Sequence, residues 1–277
     1  MSIVFQASDH SYKSINDSDK INWVSVTTLV SHFKKPFDAK AVAAKVTKSK
    51  RSKWFGIDPI AIEAIWNAES DRAMTLGTFY HNQRESDICG LASMEREGIV
   101  VPIFPPSGES NGIRLAPPQK LDSGIYPEHM MYLKSKGLCG QSDLVEIVNS
   151  RVNIIDYKTN KEIKKESFKN WEGISEKLKD PIKHLDDCNY NHYALHLSFY
   201  MYIILKHNSK LLPGKIFIHH VIFEEEGRDK FDYPITKYNH NNDPVVKEVI
   251  QIPMPYLYDE VISILNYIED NPIKKIK

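Results

Sequence analysis

The sequence predicts an α/β or α+β fold, with central strands and with helices before, between and after them, rather than a helical bundle or a β-sandwich. Three observations carry this. The chain up to about residue 98 is dominated by helical spacing of apolar residues. Two β-prone runs, "GQSDLVEIV" and "RVNIIDYKT", then follow one another between residues 140 and 159. A long helical pattern, "NYNHYALHLSFYMYIILKHN", separates them from a further alternating strand, "KIFIHHVIF".

Taken in order, "SYKSI" and "INWVSVTTLV" around the polar "NDSDK" read as a short hairpin running into a helix capped near Ser25 or Thr27. "PFDAKAVAAKVTK" and "DPIAIEAIWNAESDRAMTLGTFYHNQRESDICGLASMERE" continue as helix. Asp58 followed by Pro59 suits a helix start, because proline in the first turn sacrifices no hydrogen bond. The Pro, Gly and Ser density of residues 101–125 predicts an irregular loop. The Lys-rich segment 160–190 leads into the helix that ends near residue 208, "IQIPMPY" reads as a further extended piece, and "LYDEVISILNYIED" as a closing amphipathic helix. The 277 residues suit a single domain, with residues 1–98 as a hairpin and helical part and residues 99–277 as the sheet core.

Lys+Arg and Asp+Glu both number 36, which argues against a protein that coats nucleic acid by charge alone and leaves room for one local basic groove. Cys89, Cys139 and Cys188 form no CxxC pair, so neither a disulfide framework nor a four-thiolate metal site is expected, and a reducing compartment is. No apolar run reaches the roughly 18–20 residues of a membrane span, and "MSIVFQASDH" lacks a basic region followed by an apolar one. The expectation is a cytoplasmic protein of a bacterial or virus-infected cell, with an organelle as the alternative and no membrane partner.

The run "RVNIIDYKT" ends in chemistry. On a strand Asp156 and Lys158 point to one face and Tyr157 to the other. If Asn149 and Ser150 form a two-residue turn, Asp143 of the preceding strand stands directly opposite Asp156. Two like charges so placed are destabilising unless compensated, and a divalent cation with oxygen ligands, Mg²⁺ or Mn²⁺, would compensate them. Lys158 beside them can orient or deprotonate a water, or neutralise charge on a phosphate. The other reading is a plain hairpin with surface acids, one of them paired to Lys158.

Two more motifs bear on that choice. "GQSD" (Gly140–Asp143) and "IIDYKT" (Ile154–Thr159) are preceded by "GTFYHNQRE" (Gly77–Glu85), in which His81 and Glu85 share a helical face at i and i+4. The combination resembles the PD-(D/E)xK nuclease superfamily, specifically its RecB-like branch, whose patterns G-x-x-D, D-x-K-T and G-T-x-x-H-x-x-x-E are met at every position. The resemblance implies a restriction-endonuclease-like core, a mixed central sheet flanked by helices with an N-terminal helical elaboration. It implies that Asp143, Asp156, His81 and the main-chain carbonyl of Tyr157 hold Mg²⁺ or Mn²⁺, that Lys158 positions the attacking water, and that Glu85 helps to hold the site. The branch also carries a helical Q-x-x-x-Y; here "HLSFY" supplies Tyr200 but places His196 where the amide belongs, a departure that adds a titratable group. His192 and His196 are also spaced to bind zinc, but no helical Glu follows His192 as that chemistry requires. Glu128, in "GIYPEHMMY", fits a position where relatives often carry a Glu in the first core strand; an exposed loop acid is the other reading. "WVSVTTLVSHFKKPFDAKAVA" resembles the leading segment of viral and mitochondrial genome maintenance exonucleases of this branch.

The implied activity is metal-dependent hydrolysis of DNA phosphodiesters from single strands or ends, leaving 5′-phosphates, in replication, recombination or repair. Thr159, Lys161, Lys164 and Lys165, with His196 and Tyr200, are the expected DNA contacts. The stretches "KVTKSKRSKW" (45–54) and "KEIKKESFKNW" (161–171) each mix cations with an aromatic, which suits phosphate contact with base stacking and equally suits a solvated face. A structure-directed endonuclease on the same core, and a catalytically silent DNA-binding protein of that fold, are the alternatives. An iron–sulfur relative would need four cysteines.

Overall fold

The computed structural model describes residues 3–6, 8, 11–15, 21–170 and 172–273. Its elements are β1 (Ile3–Gln6), β2 (Ser11–Ser14), β3 (Val24–Ser25), α1 (Val26–His32), α2 (Ala39–Val46), α3 (Pro59–Cys89), β4 (Ser93–Arg96), β5 (Ile99–Pro102), β6 (Glu109–Ser110), β7 (Ile113–Leu115), β8 (Gly124–Leu133), β9 (Leu138–Val148), β10 (Arg151–Lys158), α4 (Asn189–His207), β11 (Leu212–Phe223), β12 (Glu225–Arg228), β13 (Pro234–Thr236), β14 (Val246–Met254) and α5 (Tyr258–Asp270). Together they make a mixed α+β fold with a central mixed sheet flanked by helices.

The sheet grows from the two runs that the sequence marks. β9 and β10 are antiparallel, joined by Asn149 and Ser150 with φ of 51° and 59°, the left-handed pair that a tight hairpin demands, and Val148 faces Arg151 as that turn requires. β8 covers the other edge of β9. β11 lies parallel to β10, which needs a long crossover, and α4 is that crossover. β14 closes the far edge, antiparallel to β11. The buried cores of α1, α4 and α5 pack on one face of the sheet; Leu76, Tyr80 and Ile88 of α3 pack with Ile125, Leu144, Ile155 and Tyr157 on the other. Among the described residues, no helix is long and apolar enough to cross a membrane.

One edge of β9 is split. β10 pairs with it from Leu144 to Val148, whereas β3 pairs in parallel at Leu138 and Cys139. Residues 140–143, the "GQSD" motif, lie in the gap between the two.

Several expectations need correction. Ser11–Ser14 pairs with β1 rather than with the residues after "NDSDK", and that polar segment lies outside the described residues. Val24 and Ser25 instead join the central sheet; Ser25 does cap α1, its hydroxyl accepting from Thr28 N at 3.1 Å. Helix α3 stops at Cys89, because the residues after it form the hairpin β4–β5 around Glu97 and Gly98, both with positive φ. Residues 101–125 are not wholly irregular: β6 and β7 turn on Asn111-Gly112 and add to β1 and β2 in a four-stranded sheet. The pair β12–β13 had no clear signal in the sequence.

Candidate metal centre

Three neighbouring strands each bring one acid to the split edge. The β9–β10 register carries Asp156 to the position opposite Asp143, one pair beyond Ile155 and Leu144. The β8–β9 register carries Glu128 to the same level, between the pairs Pro127–Leu144 and His129–Ser142. Glu128 has φ of 47°, a left-handed conformation uncommon for a residue with a Cβ and unusual within a strand. The alternation of side chains slips at this level. Tyr126, Val145 and Ile147 face the α4 side at one end of the strands, and Met131 and Leu138 face it at the other, an odd number of residues away.

Helix α3 supplies the fourth group. His81 Nδ1 lies 3.4 Å from Asp143 Oδ1, and its Nε2 lies 3.2 Å from the carbonyl oxygen of Tyr157. The ligand atoms of His81, Glu128 and Asp143 all lie within 4.8 Å of one another. Asp156, placed beside Asp143 by the sequence, reaches that level but is not part of this cluster. Its Oδ2 lies 2.5 Å from Lys158 Nζ and, although buried, accepts no well-directed hydrogen bond. Lys158 Nζ also donates to Tyr157 O at 3.2 Å, and Tyr157 N–H donates to Asp143 Oδ2 at 2.7 Å. The backbone of Tyr157 is therefore held on both sides, and its carbonyl faces His81 and Lys158 together.

The charges show a site crowded with acid. Burial pushes Glu128 up to about 7, with Asp143 adding to the shift, and pushes Asp156 up to about 6 against the pull of Lys158. Burial would raise Asp143 as well, but the hydrogen bond from His81 and the Lys158 charge outweigh it and hold the carboxyl below its ordinary range. Burial alone would depress Lys158; Asp156 and Asp143 overcome it, and the ammonium is raised. Lys158 thus keeps its proton and acts here as a donor and a positive charge.

The neighbouring residues fall into two groups. Glu85 lies one turn beyond His81 and 3.9 Å from the Arg114 guanidinium of β7. Tyr200 is buried, its hydroxyl 2.6 Å from His196 Nε2, and His196 is pushed down to about 3 by burial and then by Lys158. His196 and Tyr200 thus pair with each other, and the Tyr200 ring packs against β9 at Gly140. Thr159 Oγ1 reaches Ala73 O of α3 at 3.5 Å. Lys161, Lys164 and Lys165 are exposed: Lys161 Nζ lies 3.4 Å from Asp232 O, Lys164 pairs with Glu162, and Lys165 sits over the Tyr190 ring. Trp54 is not a stacking platform; it is buried against Phe231, with ring centroids 5.1 Å apart. Trp171 lies outside the described residues.

Sequence reasoning marked Glu128 only as one of two readings, and it missed Arg114 and Gln141. Gln141 Nε2 donates to Glu128 Oε2. The one available signal for Gln141 was its place inside "GQSD", next to an acid. A donor set of two acids and an imidazole, with a third acid beside it, suits a divalent cation, and apposed acids of this kind destabilise one another unless something compensates them. Comparison of the chain with family models, curated proteins and solved structures finds no match.

Proposed function

We propose that this protein is a Mg²⁺- or Mn²⁺-dependent deoxyribonuclease with a restriction-endonuclease-like core of the RecB-like kind, acting on single strands or ends in DNA replication, recombination or repair. The observation that supports it is the convergence of Glu128, Asp143 and Asp156 from three adjacent strands, with His81 arriving from α3 and Lys158 touching both Asp156 and the Tyr157 carbonyl. His81, Glu128, Asp143 and the Tyr157 carbonyl would hold the cation, with Asp156 at its border. The cation would supply Lewis-acid polarisation of a phosphodiester and make a water more acidic.

The chain's own residues do the rest. Asp143 is oriented by the Tyr157 N–H and the His81 ring. Lys158, protonated and fixed by Asp156, offers a localised positive charge where negative charge grows on a phosphate. Tyr200 and His196 pack behind β9 at Gly140, and the exposed Lys161, Lys164 and Lys165 would contact the phosphates of a strand leaving the site.

The test is product analysis on 5′- and 3′-labelled single- and double-stranded DNA, and on closed circular DNA, with Mg²⁺ or Mn²⁺. Linear substrates should be degraded and circles spared; cutting of circles would identify an endonuclease. Lys158→Ala should lose about 10²–10³-fold in rate, the scale of removing one preorganised charge donor. Unchanged degradation by that variant would defeat the assignment.

A further inference from the structure

The two basic stretches, more than a hundred residues apart in the chain, converge on one turn. Lys53 Nζ donates to Phe231 O at 2.5 Å, and Lys161 Nζ reaches Asp232 O at 3.4 Å. Beside this turn, between β12 and β13, a cavity of about 470 Å³ is lined by Phe231, Tyr233 and Tyr238 on one side and by Ile65 and Arg72 of α3 on the other. That volume lies in the range of small-ligand sites. Arg72, Pro234 and Thr236 also line a smaller neighbouring cleft whose other walls include Thr159, Asn160 and Lys161, which follow Lys158 directly in the chain.

The pocket is preorganised. Glu69 holds Arg72 through two contacts of 2.7 Å, and Arg72 Nη1 donates to Thr236 Oγ1 at 2.9 Å, so the guanidinium plane is fixed. Asp229 Oδ1 accepts the N–H groups of Phe231 and Tyr233, both at 2.8 Å, which fixes the turn that carries the rings. The two lining acids are thereby engaged within the protein. Lys53 lies 4.7 Å from the Tyr233 ring centroid and Lys230 lies 4.9 Å from that of Phe231. The exposed Tyr238 ring, beside rings already covered by lysines and Trp54, a guanidinium fixed by Glu69 and Thr236, and a cationic margin close to the residues that follow Lys158 match an unpaired base with its phosphate.

We infer that this cavity takes an unpaired nucleobase of single-stranded DNA whose backbone runs past Lys161 toward Lys158. This rests on the nuclease reading for the direction of the strand, and it makes the single-strand preference a property of Tyr238, Tyr233 and Arg72.

The experiment is a fluorescence-anisotropy titration, in chelator so that no hydrolysis intervenes, of labelled oligo(dT), the same length carrying abasic sites, and a blunt duplex. Tyr238 is 44% exposed, so Tyr238→Ala removes a ring without opening the core. The wild type should bind oligo(dT) about tenfold tighter than the abasic strand, from loss of one stacked base. Tyr238→Ala should lose that factor on oligo(dT) and nothing further on the abasic strand or the duplex. No oligonucleotide binding by the wild type, equal binding of oligo(dT) by both proteins, or indifference of the wild type to the missing bases would each overturn the inference. The two proposals fail separately: base-dependent binding without Mg²⁺-dependent degradation sinks the nuclease and spares the pocket, and degradation with a silent Tyr238→Ala does the reverse.

Discussion

At the scale of single residues, His196 shows how a departure from a motif can be absorbed. A glutamine would share a hydrogen bond with Tyr200 through its amide; the imidazole shares one too, and burial with Lys158 nearby holds it neutral down to about pH 3. The unfolded chain protonates this histidine near pH 6.5. Between those values the unfolded state binds a proton that the folded state refuses, so stability is lost as pH falls from about 6.5 toward 3. His196→Gln should remove that contribution. Urea titrations should show a wild-type loss between pH 6.5 and 4 larger than the variant's by roughly 3 kcal/mol. Glu128 carries the opposite lesson. Nothing around it in the chain reveals a left-handed φ, and its carboxylate reaches Asp143 and His81 only through cross-strand register and the Gln141 amide.

At the scale of elements, the motif glycines are places of close approach. A Cβ on Gly140 would stand 2.5 Å from Tyr200 Cε1, with the phenol locked between that strand and His196. A Cβ on Gly77 would meet Thr159 Oγ1 at 3.3 Å, a contact that a small shift relieves and that helix propensity partly offsets. Gly140→Ala should therefore cost about 1–3 kcal/mol, the scale of overpacking, and Gly77→Ala clearly less, as compared by denaturant midpoint. Most elements were legible. The Asn149-Ser150 hairpin, the crossover helix and the strands on either side follow from patterns within the chain. Residues 93–98 carry helical spacing, but pairing with β5 outweighs local propensity there, and Asn111-Gly112, a strong hairpin signal, sits in a stretch whose prolines favour a loop.

At the scale of the whole molecule, the acids meet where helices from both faces of the sheet close on a gap between β3 and β10. That gap holds mutually repelling groups, so a bound cation should stabilise the entire fold. At a Mn²⁺ concentration a hundred times its dissociation constant the gain is about 2.7 kcal/mol. Thermal scans should show the midpoint rising by roughly 5 °C, at about 2 °C per kcal/mol for a chain of this size. Asp143→Asn should abolish that rise, and a Mn²⁺-induced rise unchanged in the variant would remove Asp143 from the ligand set.

Patterns within the chain were enough to place Asp143 and Asp156 on one hairpin, to set its register, to start α1 and to put His81 and Glu85 on one helix. Each depends on backbone preferences and periodicities that span a few neighbouring residues. That Glu128 joins His81 and Asp143, that Asp156 is held by Lys158, that Trp54 is buried and that two distant basic stretches meet at one turn emerges only on folding. Those outcomes depend on which surfaces pack together across the sheet, and packing is settled by the sum of many weak contacts between residues far apart in the chain.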